Sequence, residues 1–384
     1  MPVRKSIRLF DKDFNFMAEI DDYESLQFTR RFFSVGEFEL RIHADKKHVD
    51  LIDKGILIVL GNQFHKVGII KSRSISLDGE QWVFQGPTLK GITGQRITVP
   101  PVGLAYDVYK GSAESAMKHY INANVINPVD TRRKITQVST IATSNRGSQV
   151  NWQSRFKVLS EELQGIAETT EMGWEIFFDP VAKTWLFDIV QGMDRSINQT
   201  INPPVIFSPD FRNVKSQEYT DSDLNYRNVG YVAGDGEGED RRVVELGTAT
   251  GIDRLETFID ARDIQETNAD DTPIPEAEIV ANLTDRGNQK LITEYTNQST
   301  FESQLLVPEM ATNNMAYEED WDLGDIVTVQ NRKWKVTLDS RITETKETYE
   351  PGGFQLEAVF GKNQPTFISL IKQQFKQVEA EVKK

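Results

Sequence analysis

Residues 321–361 read WDLGDIVTVQNRKWKVTLDSRITETKETYEPGGFQLEAVFG. Ile326–Val329 is an apolar run after a Leu-Gly-Asp turn. Trp334, Val336 and Leu338 alternate with polar residues, and Phe354, Leu356, Ala358 and Phe360 do so after the turn at Pro351-Gly352-Gly353. A period of two between turn residues predicts half-buried antiparallel strands. A similar pattern occurs near the N-terminus. Lys54-Gly55-Ile56-Leu57-Ile58-Val59 resembles Leu323–Val329, His65–Ile69 resembles Trp334–Leu338, and Trp82–Gly86 resembles Ala358–Gly361. The spacing from Gly55 to Lys66 equals that from Gly324 to Lys335, whereas the later spacings drift. Such self-similarity predicts a duplicated β-barrel, one copy towards each end of the chain, although small meanders in general share this punctuation.

The rest of the chain divides around these copies. A first barrel is expected over 1–98, with strands at Ile7–Leu9, Phe28–Phe33 and Phe38–Ile42. Tandem Pro100-Pro101 marks a boundary, because proline blocks strand pairing. An inserted α+β domain is expected over 99–200. Ser112 can cap a helix running to about Asn124, and a second helix is expected from about Gln153 to Glu171, stopped by Gly173. Trp174–Phe178 and Trp185–Val190 then form a hairpin. Residues 201–265 read as strand and loop that rejoin the barrels or complete the insertion. The second barrel is expected over 266–363, with a helix at 276–297 that contains a costly Gly287. An amphipathic helix is expected at 364–384, carrying Phe367, Leu370, Ile371, Phe375 and Val378 on one face. The fold class expected is mainly β with α+β insertions.

Composition narrows function. The 384 residues call for more than one core. A formal charge of −14 argues against holding nucleic acid by its phosphates. There are no cysteines, which removes disulfides and thiolate chemistry. No run is long and apolar enough for a membrane span. Of the four histidines, 43, 48, 65 and 119, none stands in a metal-ligand spacing. The sequence contains no nucleophile elbow and no phosphate-binding glycine loop. Neighbouring carboxylates at Glu161/Glu162, Asp221/Asp223 and Glu318/Glu319/Asp320 are expected in so acidic a chain. Asp253, Asp260 and Asp263 read as partners of Arg254 and Arg262. Asp235–Asp240 departs from the calcium-loop pattern and reads as a solvated loop. No catalytic, cofactor-binding or metal-ligating residue is assigned, no cofactor is expected, and the chain reads as a non-enzyme.

The ordered landmarks GEFELRI, KGILIV, KVGII, LKGITGQRITVPP, GSAESAMKHYI, GWEIFFD, WLFDIVQGMDRS, PPVIFS, NVGYVAGDGEG and IDRLETFIDARDI resemble siphophage tail proteins of the ReqiPepy6 Gp-thirty-seven-like family. They cover roughly 35–265. The module from Tyr317 through Asp320-Trp-Asp-Leu-Gly-Asp325 resembles the last barrel of phage baseplate hubs. The resemblance implies a Tal-like structural virion protein at the tail tip, made in the host cytoplasm. It implies a homotrimeric hub whose two barrels per chain cap a hexameric tail tube. It also implies partners: the distal tail protein ring, the tail tube protein, the tape measure protein and receptor-binding or tail fibre proteins, with double-stranded DNA passing through unbound. Two other readings are an adhesion or carbohydrate-binding baseplate module, suggested by Trp152, Trp174 and Trp185, and a cell-wall hydrolase.

Overall fold

The computed structural model describes residues 5–76, 80–267, 272–296, 298–306 and 315–361. The expected helix at 364–384 lies outside them. The chain divides into two compact units: residues up to 100 with 106–218 and 301–361, and residues 101–105 with 219–300.

The first unit begins with β1 (Ile7–Phe10), β2 (Phe16–Ile20), β3 (Ser25–Arg31), β4 (Glu37–His43), β5 (Leu57–Leu60), β6 (Gln63–Ile69), β7 (Ser72–Ile75) and β8 (Gln81–Pro87). A four-stranded sheet runs β2-β1-β5-β6, and β3-β4-β8-β7 form part of a second sheet. Alternation fills the space between them: Leu9, Ile58, Ile70, Leu26, Phe28, Leu40, Ile42 and Phe84 share one core. Each side chain of this size removed from water contributes about 1.5–3 kcal/mol. The chain crosses between the two sheets at Ile70 and Lys71. There Gly55 N donates to Ile70 O at 2.8 Å, Ile70 N to Ile56 O at 3.0 Å, and Lys71 N to Gln85 O at 2.9 Å.

Next come β9 (Asp107–Ser112), α1 (Ala113–Ile121), β10 (Val138–Thr140), β11 (Gln149–Ser154), α2 (Leu159–Thr170), β12 (Gly173–Asp179) and β13 (Thr184–Val190). Ser112 caps α1 as expected, accepting from Ser115 N. The second helix is shorter than expected. Residues 149–154 pair with β9 as strand, and Phe156, at φ 51°, cannot continue a right-handed helix. Its stop is Glu171, in the left-handed region, with Met172 N bonded to Ala167 O. Gly173 instead opens β12, where a Cβ would fall 2.3 Å from the Phe32 ring. The expected hairpin is β12–β13.

The chain continues through β14 (Asp194–Arg195), β15 (Ile206–Phe207) and β16 (Val214–Ser222) into the second unit, with β17 (Val229–Ala233), β18 (Val243–Leu246), β19 (Glu256–Asp260) and α3 (Glu276–Thr293). That unit is a β18-β17-β19 sheet with α3 on one face, joined by Val232, Ile259, Ile279 and Leu283. The helix ends at Thr293, short of 297, because the chain is extended again from 298. Gly287 is explained by packing. A Cβ there would lie 2.3 Å from Leu246 and 2.5 Å from Val232, so the sheet occupies the space a side chain needs.

The last strands are β20 (Gln298–Leu305), β21 (Ile326–Asn331), β22 (Val336–Glu350) and β23 (Gly353–Gly361). They extend the second sheet into a continuous path, β16-β20-β23-β22-β3-β4-β8-β7, with β21 on β22 and with β14 and β15 parallel to β21. Among the described residues every sheet is open, and no strand order closes on itself.

The two similar stretches share a backbone plan. Gly324 N donates to Ile342 O at 2.8 Å and Ile342 N to Asp325 O at 2.8 Å, the same two bonds that Gly55, Ile56 and Ile70 make. Both glycines have positive φ, +90° at Gly55 and +97° at Gly324. The strand after the hairpin is broken into β6 and β7 in one copy and runs unbroken as β22, with a register shift after Ile342, in the other. The alignment of the hairpins differs from the expected one. Leu57 pairs with Ile69, whereas Ile326 pairs with Arg341, so the second turn is longer. Trp334 and Lys335 (φ 57°) lie in that turn and not in a strand.

A Cβ on Gly324 would also lie 2.3 Å from the Phe32 ring. Gly324→Ala is therefore expected to lower stability by about 1–3 kcal/mol, read as a fall in the denaturation midpoint.

Candidate functional site: open sheet edges and a buried ionic joint

The two copies meet where β22 pairs with β3, antiparallel, with Glu344 opposite Arg31 and Tyr349 opposite Leu26. Behind this seam is a cluster of charge in the core. Lys66 on β6 and Glu347 on β22 are 0% and 1% exposed and form an ion pair. Lys66 Nζ also lies 2.8 Å from Glu318. Glu318 accepts from His65 at 2.7 Å, and Arg30 reaches Glu318 at 3.4 Å and Asp322 at 2.9 Å. Tyr349 Oη donates to Glu347 at 2.5 Å, and Tyr317 Oη accepts from Arg30 at 3.0 Å.

The strands explain the placement. Period two turns Arg30, Lys66 and Glu347 towards the core, and each charge meets its opposite there. Burial alone would raise the Glu318 carboxyl. The His65 hydrogen bond and the Lys66 charge overcome it and hold that group well below the usual carboxylate range. Burial and Glu347 push the Tyr349 phenol far above its ordinary value, so it remains a donor.

A cleft of about 450 Å³ borders the joint, lined by Arg30, Phe32, Gln63, His65, Lys90, Trp174, Glu175 and Glu318 among others. Buried Lys90 donates to the carbonyls of Arg31, Phe32 and Ser34 at 2.6, 3.1 and 3.3 Å and lies 4.7 Å from the Trp174 ring centre. Burial pushes its ammonium down to about 8. These groups are engaged in holding strands together.

The outward face of the long sheet is polar. Burial, and then the like charges of Glu218, Glu344 and Glu357 on the neighbouring strands β16, β22 and β23, push the Glu302 carboxyl on β20 up. The row continues through Arg31, which binds Glu344 at 2.7 Å and Glu37 at 2.8 Å, to Glu39, Arg41 and Gln85.

The residues weighed from sequence are scattered. His43 contacts Asp45, His119 contacts Asp107, and His65 alone enters the joint. Glu162 accepts from Trp152 Nε1, and Asp320 from Ala316 N. Asp260 pairs with Arg241 and Arg262, and Asp263 with Arg286, while Arg254 turns to Glu245 and Glu256. Trp174 is buried, and Trp152 and Trp185 are half-buried. Among the described residues no three His, Asp or Glu side chains are grouped to hold a metal, and no helix is long and apolar enough to cross a membrane.

Lys66→Met, which removes the cation paired with buried Glu347, is expected to cost about 3–5 kcal/mol in chemical denaturation. Lys66→Met with Glu347→Leu should recover much of that loss. Lys90 sets a pH dependence of opposite sense to a paired lysine. Its folded pKa of about 8 lies below the unfolded 10.5, so the unfolded chain holds more protons between those values. Unfolding free energy should therefore rise from pH 8 to 10.5, by at most about 3 kcal/mol from this group. Denaturation of Lys90→Met across that range should show the rise reduced by that amount.

The profile of the Siphovirus ReqiPepy6 Gp37-like protein family matches residues 6–362. No curated protein matches the sequence. Among solved structures, the tail protein from Neisseria meningitidis MC58 superposes with a TM-score of 0.56 at 15% identity, covering 94% of this chain and 97% of that one. The 43 kDa tail protein of prophage MuSo2 from Shewanella oneidensis gives 0.55 at 11% identity, covering 93% and 98%. Prophage tail protein gp18 from Listeria monocytogenes EGD-e gives 0.52 at 13% identity, covering 97% and 99%. These likenesses are of fold. The family match spans nearly the whole chain, which belongs to the siphovirus ReqiPepy6 Gp37-like family.

Proposed function

We propose that this chain is the tail-tip hub, a homotrimer that caps the six-fold tail tube and encloses the channel through which DNA leaves. The observation that carries the reading is the tandem plan: two copies of one strand arrangement lie side by side in a continuous sheet, joined at β22–β3. Three chains with two copies each present six similar modules to a six-fold ring while keeping three-fold symmetry for what lies beyond. Each copy then acts as a tube domain, open in the single chain and completed by its neighbours.

The outward face of the sheet supports the same role. Glu218, Glu302, Glu344, Glu357, Glu37 and Glu39 on that face outweigh Arg31, Arg41 and Lys346. A basic lining would release counterions and hold the duplex. A lining of this sign repels phosphates and lets DNA slide. The distal tail ring, tube, tape measure and receptor-binding proteins are the partners this position supplies. The adhesin reading loses its support, since the three tryptophans that suggested it are buried or half-buried and two are hydrogen-bonded.

Negative-stain microscopy of the purified protein, alone and mixed with its tail tube protein, tests the proposal. Three-fold rings with six inner lobes and a central channel, seated axially on the tube, are expected. Single chains in both samples would overturn it.

A further inference from the structure

The sheet order reveals how one chain meets the next. The path β16-β20-β23-β22-β3-β4-β8-β7 is two four-strand modules in the same order. In the first copy the module is β3-β4-β8-β7, and in the second it is β16-β20-β23-β22. The correspondence is anchored by backbone hydrogen bonds, since Ile70 and Ile342 occupy the same crossing, directly before β7 and before the half of β22 that pairs with β3. Within the chain, the last strand of the second module (β22) pairs with the first strand of the first module (β3). The equivalents of these two strands, β7 and β16, are the two ends of the path and have no neighbour on their outer sides among the described residues. All four residues of β7 are exposed, with Ile75 46% exposed, and Lys215, Ser216 and Glu218 are exposed on β16.

We infer that β7 of one chain pairs antiparallel with β16 of a second copy, repeating between chains the β22–β3 joint that each chain makes internally. The inference rests on the hub reading and names its interface. The two edges are different strands, so the contact is head-to-tail, and three copies close it into a ring with no edge left free. An unpaired strand edge otherwise invites indiscriminate pairing, and closure removes it. Each internal seam carries a salt bridge on its outward face, Arg31–Glu344 at 2.7 Å. On β7 the residues of that outward face are Ser72 and Ser74, whereas Arg73 lies on the opposite face against Asp53 and the Trp82 ring, so the seam between chains rests on backbone pairing.

The native chain has no cysteine, so introduced thiols report alone. Ser72→Cys or Ser74→Cys on β7 is combined with Ser216→Cys, Thr220→Cys or Ser222→Cys on β16 in the full-length protein and oxidised after assembly. Gln27→Cys with Thr348→Cys, facing partners in the internal joint, calibrates the reaction. Covalent dimers and trimers that require one cysteine on each strand are expected, in at least one pairing at a rate within about tenfold of the control. Trimers that form but cross-link only β7 to β7, or β16 to β16, or at no pairing, overturn the strand assignment and leave the hub reading standing. Absence of any trimer, with or without the tail tube, overturns both.

Discussion

A lysine buried away from water needs strong acceptors beside it. Lys66 has two, Glu347 and Glu318, and the strands that bring them come from opposite ends of the chain. Removing either charge leaves the other in a medium that solvates it poorly. The interaction therefore ties β6 in the first copy to β22 and the Tyr317–Asp322 turn in the second. The β22–β3 pairing in front of it sets the register, and the tyrosines at 317 and 349 satisfy oxygens that would otherwise be stranded. An apolar core of the same volume could be as stable. What the charges add is a penalty on any other alignment of the two copies, because a slip of one residue would turn Lys66 or Glu347 towards solvent and orphan its partner.

This constraint gives the architecture its logic. A duplicated strand plan folds as one sheet because its two halves share buried charges. The outward face of that sheet is polar, with acidic residues in excess. Its ends are strands of different identity. The proposed hub, matching a six-fold ring while keeping three-fold symmetry, would use such a unit, with two modules per chain joined by one internal seam.

Much of this was legible in the residues, and the part that was not has physical reasons. The repeat was visible because Gly55 and Gly324 hold positive φ, which few other residues tolerate, and both precede apolar runs. The hairpin registers differ from the equal Gly-to-Lys spacing because the second turn is longer, so Lys66 is in the core and Lys335 in a loop. The helix expected from Gln153 was cut short by Phe156, whose backbone is left-handed, a state periodicity does not reveal. The joint does not follow from the sequence pattern alone. Its signal was present: Arg30 stands between Phe28 and Phe32, and Glu347 two residues before Tyr349, at inward positions of alternating strands. An inward charge calls for a partner, but naming Lys66 as the partner of Glu347 required the fold. That the sheets formed by the described residues are open is also beyond the pattern, since alternation is the same in an open sheet and a closed barrel.

The central claim is that the two copies form one cooperative sheet held at β22–β3. Hydrogen exchange of the free protein, read by mass spectrometry across β3, β4, β22 and β23, tests it most directly. The account predicts that these amides form the slowest set and open together, with β3 and β22 equally protected. Exchange in which β3 and β22 lose protection first, while β1–β8 and β20–β23 open as separate groups, would contradict it.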